Sequence, residues 1–250
     1  LDLPQAVYGP VGMIAEGYSG LGLRGTAGSR WVARYDLYLG GATFADLHIQ
    51  KDVLQGFSDG HGSDEEGEEG EEGEEVEEID LENVVGGRLV LETPVQGLSL
   101  GVSGYTGDIE DEDVRATTLG VQVEYNKEPW SLQAEFVRGD HETDDTRRSF
   151  YVQGARRLGA WEVAGRYERL KASFPDLSVS NRSSSLLRHR AASVGLNYWF
   201  SPEFVLKASY SRVDGNRLAG PPLDDLAELF ELGRVNQKTN AFHFGAQFSF

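Results

Sequence analysis

The residues with the clearest potential for chemistry are carboxylates gathered in one segment. Residues 59–80 contain thirteen acidic side chains and no basic one, in a chain whose formal net charge is −18. Carboxylate oxygens suit calcium, but the segment lacks the D-x-[DN]-x-[DN]-G spacing of an EF-hand loop. A run of like charges repels itself and does not fold. We therefore predict a solvated, disordered loop; the alternative is a loop that accumulates cations weakly and nonspecifically, and no specific metal site is expected.

Histidine is the second residue type that could support catalysis, as a general base or a metal ligand. Most of the five histidines fall in or near predicted loops, and none sits in a recognisable nucleophile motif. The chain also has no cysteine, which excludes disulfides and thiolate metal sites. We predict polar loop residues at these positions, no catalytic residue, no metal site and no cofactor. The histidines are His48, His61, His141, His189 and His243.

The remaining charged residues belong to segments that alternate polar and apolar side chains. Alternation of this kind has the period of a β-strand, and it is clearest in residues 115–125, 130–138, 161–169 and 203–212. We predict eleven strands, near 20–27, 31–43, 84–92, 97–106, 114–126, 130–139, 148–157, 161–171, 189–199, 203–213 and 239–250. No run approaches the roughly 20 apolar residues that a membrane helix needs.

Connection lengths distinguish a soluble sandwich, whose apolar face forms a core, from a membrane barrel, whose apolar face meets lipid. Tight turns at one end of the strands alternate strictly with longer polar segments at the other, as in outer-membrane barrels. The sequence therefore predicts an all-β, transmembrane, antiparallel up-and-down barrel with periplasmic turns and extracellular loops, as one domain over 1–250. The turns lie at 28–30, 93–96, 127–129, 158–160 and 200–202, and the loops at 44–83, 107–113, 140–147, 172–188 and 214–238.

In such a barrel the polar face of each strand lines the interior. A charged group at the bilayer midplane costs roughly 2–4 kcal/mol, so these side chains must be wet or paired. They could line an aqueous channel or pair across a narrow interior and plug it; about twelve strands favour a channel. The predicted channel-lining residues are Arg24, Arg34, Asp36, Arg88, Glu92, Gln122, Glu124, Gln133, Glu135, Glu162, Arg166, Glu168 and Lys207.

Aromatic residues support the membrane interpretation. All four tryptophans lie beside the predicted short turns, where a ring at the membrane–water interface keeps its N–H hydrated. We predict that Trp31, Trp130, Trp161 and Trp199 form this interfacial belt. The last twelve residues, TNAFHFGAQFSF, alternate and end in Phe250. They resemble the C-terminal signature by which bacterial outer-membrane proteins are recognised by the barrel-assembly machinery, and the resemblance makes Phe250 the expected assembly signal.

Two segments bear on how complete this barrel is. Bacterial single-chain barrels have even strand numbers, and residues 5–14 could supply a twelfth strand despite Pro10; otherwise strands precede the chain. Its first residues lack the basic and apolar regions of a signal peptide, so we expect a mature form or part of a longer chain. Within 214–238, apolar residues at near-helical spacing indicate a short amphipathic helix, at the rim or folded into the mouth.

Three stretches resemble the C-terminal portion of porins of the phosphate-selective O/P type. They are VEYNKEPWSLQAEFVRG at 123–139, SFYVQGARRLG at 149–159 and ASVGLNYWFSPEFVLKASYSRVDG at 192–215, and the similarity covers about half the chain. The resemblance implies a piece of a sixteen-stranded barrel, usually trimeric. Because this sequence has fewer strands and an acidic insertion, no anion-binding residue is carried over and phosphate selectivity is not expected.

The predicted function is an outer-membrane porin through which small hydrophilic solutes or ions diffuse passively. Its expected partners are outer-membrane lipid and lipopolysaccharide, the barrel-assembly machinery, small hydrophilic solutes and a homotrimer. The absence of a basic footprint argues against nucleic acid. The alternative is a non-conducting barrel that serves as a structural anchor, adhesin or partner scaffold, with a plugged lumen. An outer-membrane hydrolase is a more distant alternative that would need a Ser–His pair at the rim.

Overall fold

The computed structural model describes residues 17–45, 78–109, 114–141, 146–173, 188–215 and 238–248. They form one antiparallel sheet of eleven strands. The strands are β1 (Gly17–Ala27), β2 (Val32–Ala45), β3 (Glu78–Glu92), β4 (Leu98–Ile109), β5 (Arg115–Lys127), β6 (Trp130–His141), β7 (Thr146–Leu158), β8 (Trp161–Ser173), β9 (Arg188–Trp199), β10 (Phe204–Gly215) and β11 (Lys238–Phe248).

Each strand pairs with its neighbours in sequence, so the sheet runs in order from β1 to β11. This up-and-down order and the eleven strands confirm the fold predicted from alternation. Several strands are longer than predicted at the end that carries the long connections, where β4 continues to Ile109, β6 to His141 and β8 to Ser173. Residues 78–80, predicted as the end of the acidic loop, begin β3. The rest of that loop, the additional strand at 5–14 and the helix within 216–237 lie outside the described residues.

Tight turns join the strands at one end of the sheet, at residues 28–31, 93–97, 128–129, 159–160 and 200–203. Glycine is required where a turn passes close to a neighbouring strand. Gly97 has φ +85°, and a Cβ there would lie 2.4 Å from the carbonyl oxygen of Asn126. The Asn126 amide donates to the Gly97 carbonyl over 2.7 Å. Such turns leave the opposite end of the sheet to the longer connections, as predicted.

The two faces of the sheet have the reverse of a soluble protein's polarity. Large apolar side chains are exposed on one face, among them Leu21, Leu119 and Val194, each more than half exposed. The other face buries ionisable side chains, including Glu168 and His189 at 1 % and 0 % exposure. Along β8 exposed and enclosed positions alternate strictly. The polar face is therefore the enclosed, inner one, and the apolar face points outward, as lipid requires.

Some apolar residues do pack on the inner face, near the long-connection ends of β2 to β5. Ala42, Leu81, Val84, Ile109 and Ala116 form a small buried cluster, with Tyr38 and Tyr105 packed against it. No helix of the described part is long and apolar enough to cross a membrane. The described architecture is therefore a barrel wall whose inner face is largely polar but also buries apolar side chains, in this cluster and at positions such as Val137, Leu170 and Val205.

Candidate functional site: the polar face of the sheet

Strand register brings the predicted lining residues onto one face. Side chains two apart on a strand share a face, and antiparallel partners do too. The pairing links Gln122 with Glu135, Glu135 with Tyr151 and Tyr151 with Glu168. The same pairing, followed through every strand pair, places all thirteen predicted lining residues on the inner face. They are Arg24, Arg34, Asp36, Arg88, Glu92, Gln122, Glu124, Gln133, Glu135, Glu162, Arg166, Glu168 and Lys207.

A pocket of about 380 Å³ collects six of these residues on β1, β2, β3 and β5. Three are cationic, two are anionic and one is an amide, so the wall carries mixed charge. The six are Arg24, Arg34, Asp36, Arg88, Gln122 and Glu124. Such a surface can hydrogen-bond water and polar solutes of either sign.

Two ion pairs cross neighbouring strands in and beside this pocket. Arg24 donates to Asp36, and Arg34 donates to Glu92. All four side chains are at least 40 % exposed, so each pair contributes only about 0–1 kcal/mol of stability. Their consequence is electrostatic: each pair cancels most of the field that a lone arginine would present to a passing ion.

A longer contact links β3 to β5 across β4. Nη2 of Arg88 donates to Oε1 of Gln122 over 3.0 Å. The intervening position is Gly101, which pairs with Gln122 and with Val90. A Cβ on Gly101 would lie 2.5 Å from Cγ of Gln122. The missing side chain therefore leaves the space in which Gln122 lies over the strand.

The most enclosed charges form a second cluster, on β8 and β9. Oε1 of Glu168 lies 3.2 Å from Nε2 of His189, and its Oε2 lies 3.6 Å from Nε of Arg166. The three side chains are 5 % exposed or less. Burying charge is tolerated only where it is paired, so Glu168 is the anion that makes this cluster possible.

Sequence reasoning missed part of this cluster. His189 is the first residue of the predicted strand at 189–199 and was not among the predicted lining residues, but it is a fully buried residue of β9 on the inner face. Sequence reasoning also passed over Ser149 and Tyr151, buried on the same face at 0 % and 1 % exposure. The sequence did carry a signal for them. Ser149 and Tyr151 lie four and two residues before the polar Gln153 on β7, and residues two apart on a strand share a face.

The other lining residues are distributed along the face. Asn197 donates to Oε1 of Glu162 over 2.6 Å, and Lys207 donates to Oε1 of Gln247 over 2.6 Å. Glu135 is 5 % exposed. Gln133 lies opposite Gln153. The polar face thus carries hydrogen-bonding groups from β1 to β11 and no single converging catalytic arrangement among the described residues.

The tryptophans divide between the two faces. Trp130 and Trp161 lie on the outer face, 44 % and 47 % exposed, and Trp31 lies in the first turn, 49 % exposed. Trp199 pairs with the buried Val205 and so lies on the inner face. The guanidinium carbon of Arg157 sits 4.9 Å from its ring centre. Trp199 therefore differs from the other three in what its ring contacts.

The remaining site predictions concern metal binding and assembly. In the described ranges no group of three or more His, Asp or Glu side chains is placed to hold a metal ion. Phe250 lies outside those ranges, as does most of the acidic segment. Both stay predictions.

Comparison with solved structures places the fold among outer-membrane channels. The outer membrane channel DcaP of Acinetobacter baumannii matches with a TM-score of 0.55 at 8 % identity, over 92 % of this chain and 61 % of that one. OmpT, an outer membrane protein of Vibrio cholerae, matches with a TM-score of 0.47 at 10 % identity, over 86 % and 63 %. An anion-selective porin from Comamonas acidovorans has a TM-score of 0.48 at 12 % identity, over 95 % and 91 %.

At these identities the similarity shows the fold alone, and of these three structures DcaP has the TM-score above 0.5. The chain spans less than two thirds of the lengths of the DcaP and OmpT chains. No curated protein sequence matches it. A family model described as Gram-negative porin matches residues 4–218, and it does not distinguish the phosphate-selective type. Because this match covers more than half of the sequence, the chain belongs to the Gram-negative porin family of the outer membrane.

Proposed function

We propose that the polar face lines a water-filled path through which small hydrophilic solutes and ions diffuse passively. The observation that carries the proposal is the segregation of the two faces. Every predicted lining residue shares one face, and the opposite face exposes Leu, Val and Phe side chains. The proposed path serves diffusion, and no residue has a catalytic role in it.

Mixed charge supports weak selectivity. The lining residues include five cations and six anions, and several are paired on the inner face. Wall charges set the selectivity of an aqueous pore, and balanced walls favour neither sign strongly. We therefore expect both potassium and chloride to pass, with a modest preference set by the unpaired groups and the acidic segment.

The test is single-channel recording of the refolded protein in a planar bilayer, with the reversal potential measured under a KCl gradient. We expect discrete, stable openings and a small reversal potential. Silence from protein that is correctly folded, judged by heat-modifiable migration, would contradict the proposal and favour the non-conducting anchor or scaffold. Light scattering of the same sample tests the predicted homotrimer, and deletion of Phe250 tests recognition by the barrel-assembly machinery.

A further inference from the structure

The outer face carries a concentration of cations at the long-connection ends of β6 to β9. Arg138 pairs with Arg148, Arg148 with Lys171, and Lys171 with Arg188, in one row across four strands. Arg169 and Arg190 pair in the adjacent row. We call these six residues the basic patch. All six are exposed.

The charge of the basic patch is incompletely neutralised. Arg138 lies 2.8 Å from Asp140, and Arg190 lies 2.6 Å from Asp214. Arg148, Arg169 and Lys171 have no anionic partner in the part of the chain that the structure describes. Like charges directly opposite each other on a sheet are destabilising. An external anion would offset that cost.

The basic patch lies at the level of a membrane boundary. Arg169 and Lys171 follow Trp161, beside a short turn, by eight and ten residues. With a rise of about 3.3 Å per residue and a tilt of 35–45°, they lie about 20–25 Å above it, close to the height of the apolar band. On the same face Phe136 and Phe150 lie level with Arg169, and Tyr167 lies two residues before it; the Phe150 and Tyr167 ring centres are 6.0 Å apart.

Another basic residue at this end of the outer face is neutralised. Arg115 on β5 contacts Asp108 on β4 at 3.0 Å. Among the described residues, cations without an anionic partner at this end of the outer face lie on β7, β8 and β10, where Arg212 is also exposed, and those on β7 and β8 border an aromatic surface. A ligand that fits both parts has an anionic head and an apolar body.

We propose that the basic patch binds the phosphate-bearing headgroup of an anionic outer-leaflet lipid, with its acyl chains against Phe136, Phe150 and Tyr167. Arg148 and Lys171 are direct cross-strand neighbours, and Arg169 is two residues before Lys171, so three cations surround one position. Guanidinium groups bind phosphate oxygens in pairs, and an ammonium adds a point charge. Lipid A, which carries phosphates on a multi-chain body, has the required chemistry.

The test is native mass spectrometry of the full chain in detergent micelles titrated with diphosphoryl lipid A. Each cation near an anionic lipid contributes about fivefold in affinity, so R148Q/R169Q/K171Q is expected to bind about 100-fold more weakly. The control R115Q/K127Q/R156Q removes three cations from the same face outside the patch, and its affinity should change less than about threefold.

Two further binding measurements identify the ligand. Fully dephosphorylated lipid A should bind wild-type protein at least about tenfold more weakly, a comparison that needs no variant. Equal weakening in both triple variants would overturn the proposal, as would equal binding of the two lipids. Displacement of diphosphoryl lipid A by millimolar inorganic phosphate would overturn the assignment to a lipid. Conductance is recorded separately, so loss of lipid binding is distinguishable from failure of the pore.

Discussion

Arg88 donates a hydrogen bond to Gln122 across an intervening strand, from Nη2 to Oε1 over 3.0 Å. Direct cross-strand partners lie about 5 Å apart, whereas this contact joins the first and third of three strands. It is possible because Gly101 presents no side chain between them. The glycine at position 101 of β4 therefore determines how the Arg88 guanidinium on β3 is positioned on the inner face.

Replacing Gly101 with alanine should release Arg88. The new Cβ would lie 2.5 Å from Cγ of Gln122, so Gln122 must move and the arginine loses its acceptor. We expect the chloride-to-potassium permeability ratio to rise about twofold, measured by reversal potential. Gly245→Ala is the matched control, because a Cβ added at that inner-face position would have nothing within 4 Å of it. Equal shifts in both variants would contradict the role of Gly101.

Replacing Glu168 with glutamine should destabilise the sheet. The isosteric change keeps the shape but removes the carboxylate charge next to the buried Arg166 and His189 side chains. Breaking a buried ion pair costs about 3 kcal/mol. Urea unfolding of the reconstituted protein should show this loss. Glu92→Gln, at a half-exposed pair, should cost less than about 1 kcal/mol; similar losses in both would refute the distinction.

Adjacent residues on β7 test which face meets lipid. Val152, at the middle of the strand, is 55 % exposed, so in water arginine there would change stability little. In a membrane, Val152→Arg should cost about 2–4 kcal/mol, whereas Gln153→Glu, which places a charge on the inner face opposite Arg166, should cost less than about 1 kcal/mol. Unfolding in vesicles measures both, and a neutral Val152→Arg would argue against the outward assignment.

Reversing the charge of Glu124 should alter ion selectivity. Glu124→Lys changes the pocket by two charges, worth about 1 kcal/mol at roughly 8 Å in water before screening. The permeability ratio should move two- to threefold toward chloride, and more at about 0.1 M KCl than at about 1 M. Glu128→Lys, in an exposed turn, is the control. A shift that does not depend on salt would point to a structural rather than an electrostatic effect.

Single-tryptophan variants test the two environments of the tryptophans. Chains that retain only Trp130 or only Trp161, with phenylalanine at the other three positions, should lose fluorescence in vesicles of brominated phosphatidylcholine. A chain that retains only Trp199 should be quenched much less, because its ring lies on the inner face beside Arg157. Equal quenching of all three would place Trp199 at the lipid interface.

Much of the fold was predictable from the sequence because the lipid and the lumen impose opposite polarity on alternate residues. That rule repeats at every second position, so local pattern was sufficient for eleven strands, their order and the shared face of the lining residues. The same rule places Trp199 on the inner face. The prediction for Trp199 used only its proximity to a short turn. That proximity indicates the height of a residue in the membrane, but it does not indicate which face of the sheet the side chain lies on.

The sequence by itself determined the strand content, the alternation of short and long connections and the polarity of the two faces, because these depend on neighbours in the chain. Only the tertiary structure decided which side chains meet across strands. The contacts of Arg88 with Gln122, of Glu168 with His189, and of Arg148 with Lys171 depend on register. Register follows from pairing between strands, which alternation within a single strand does not specify.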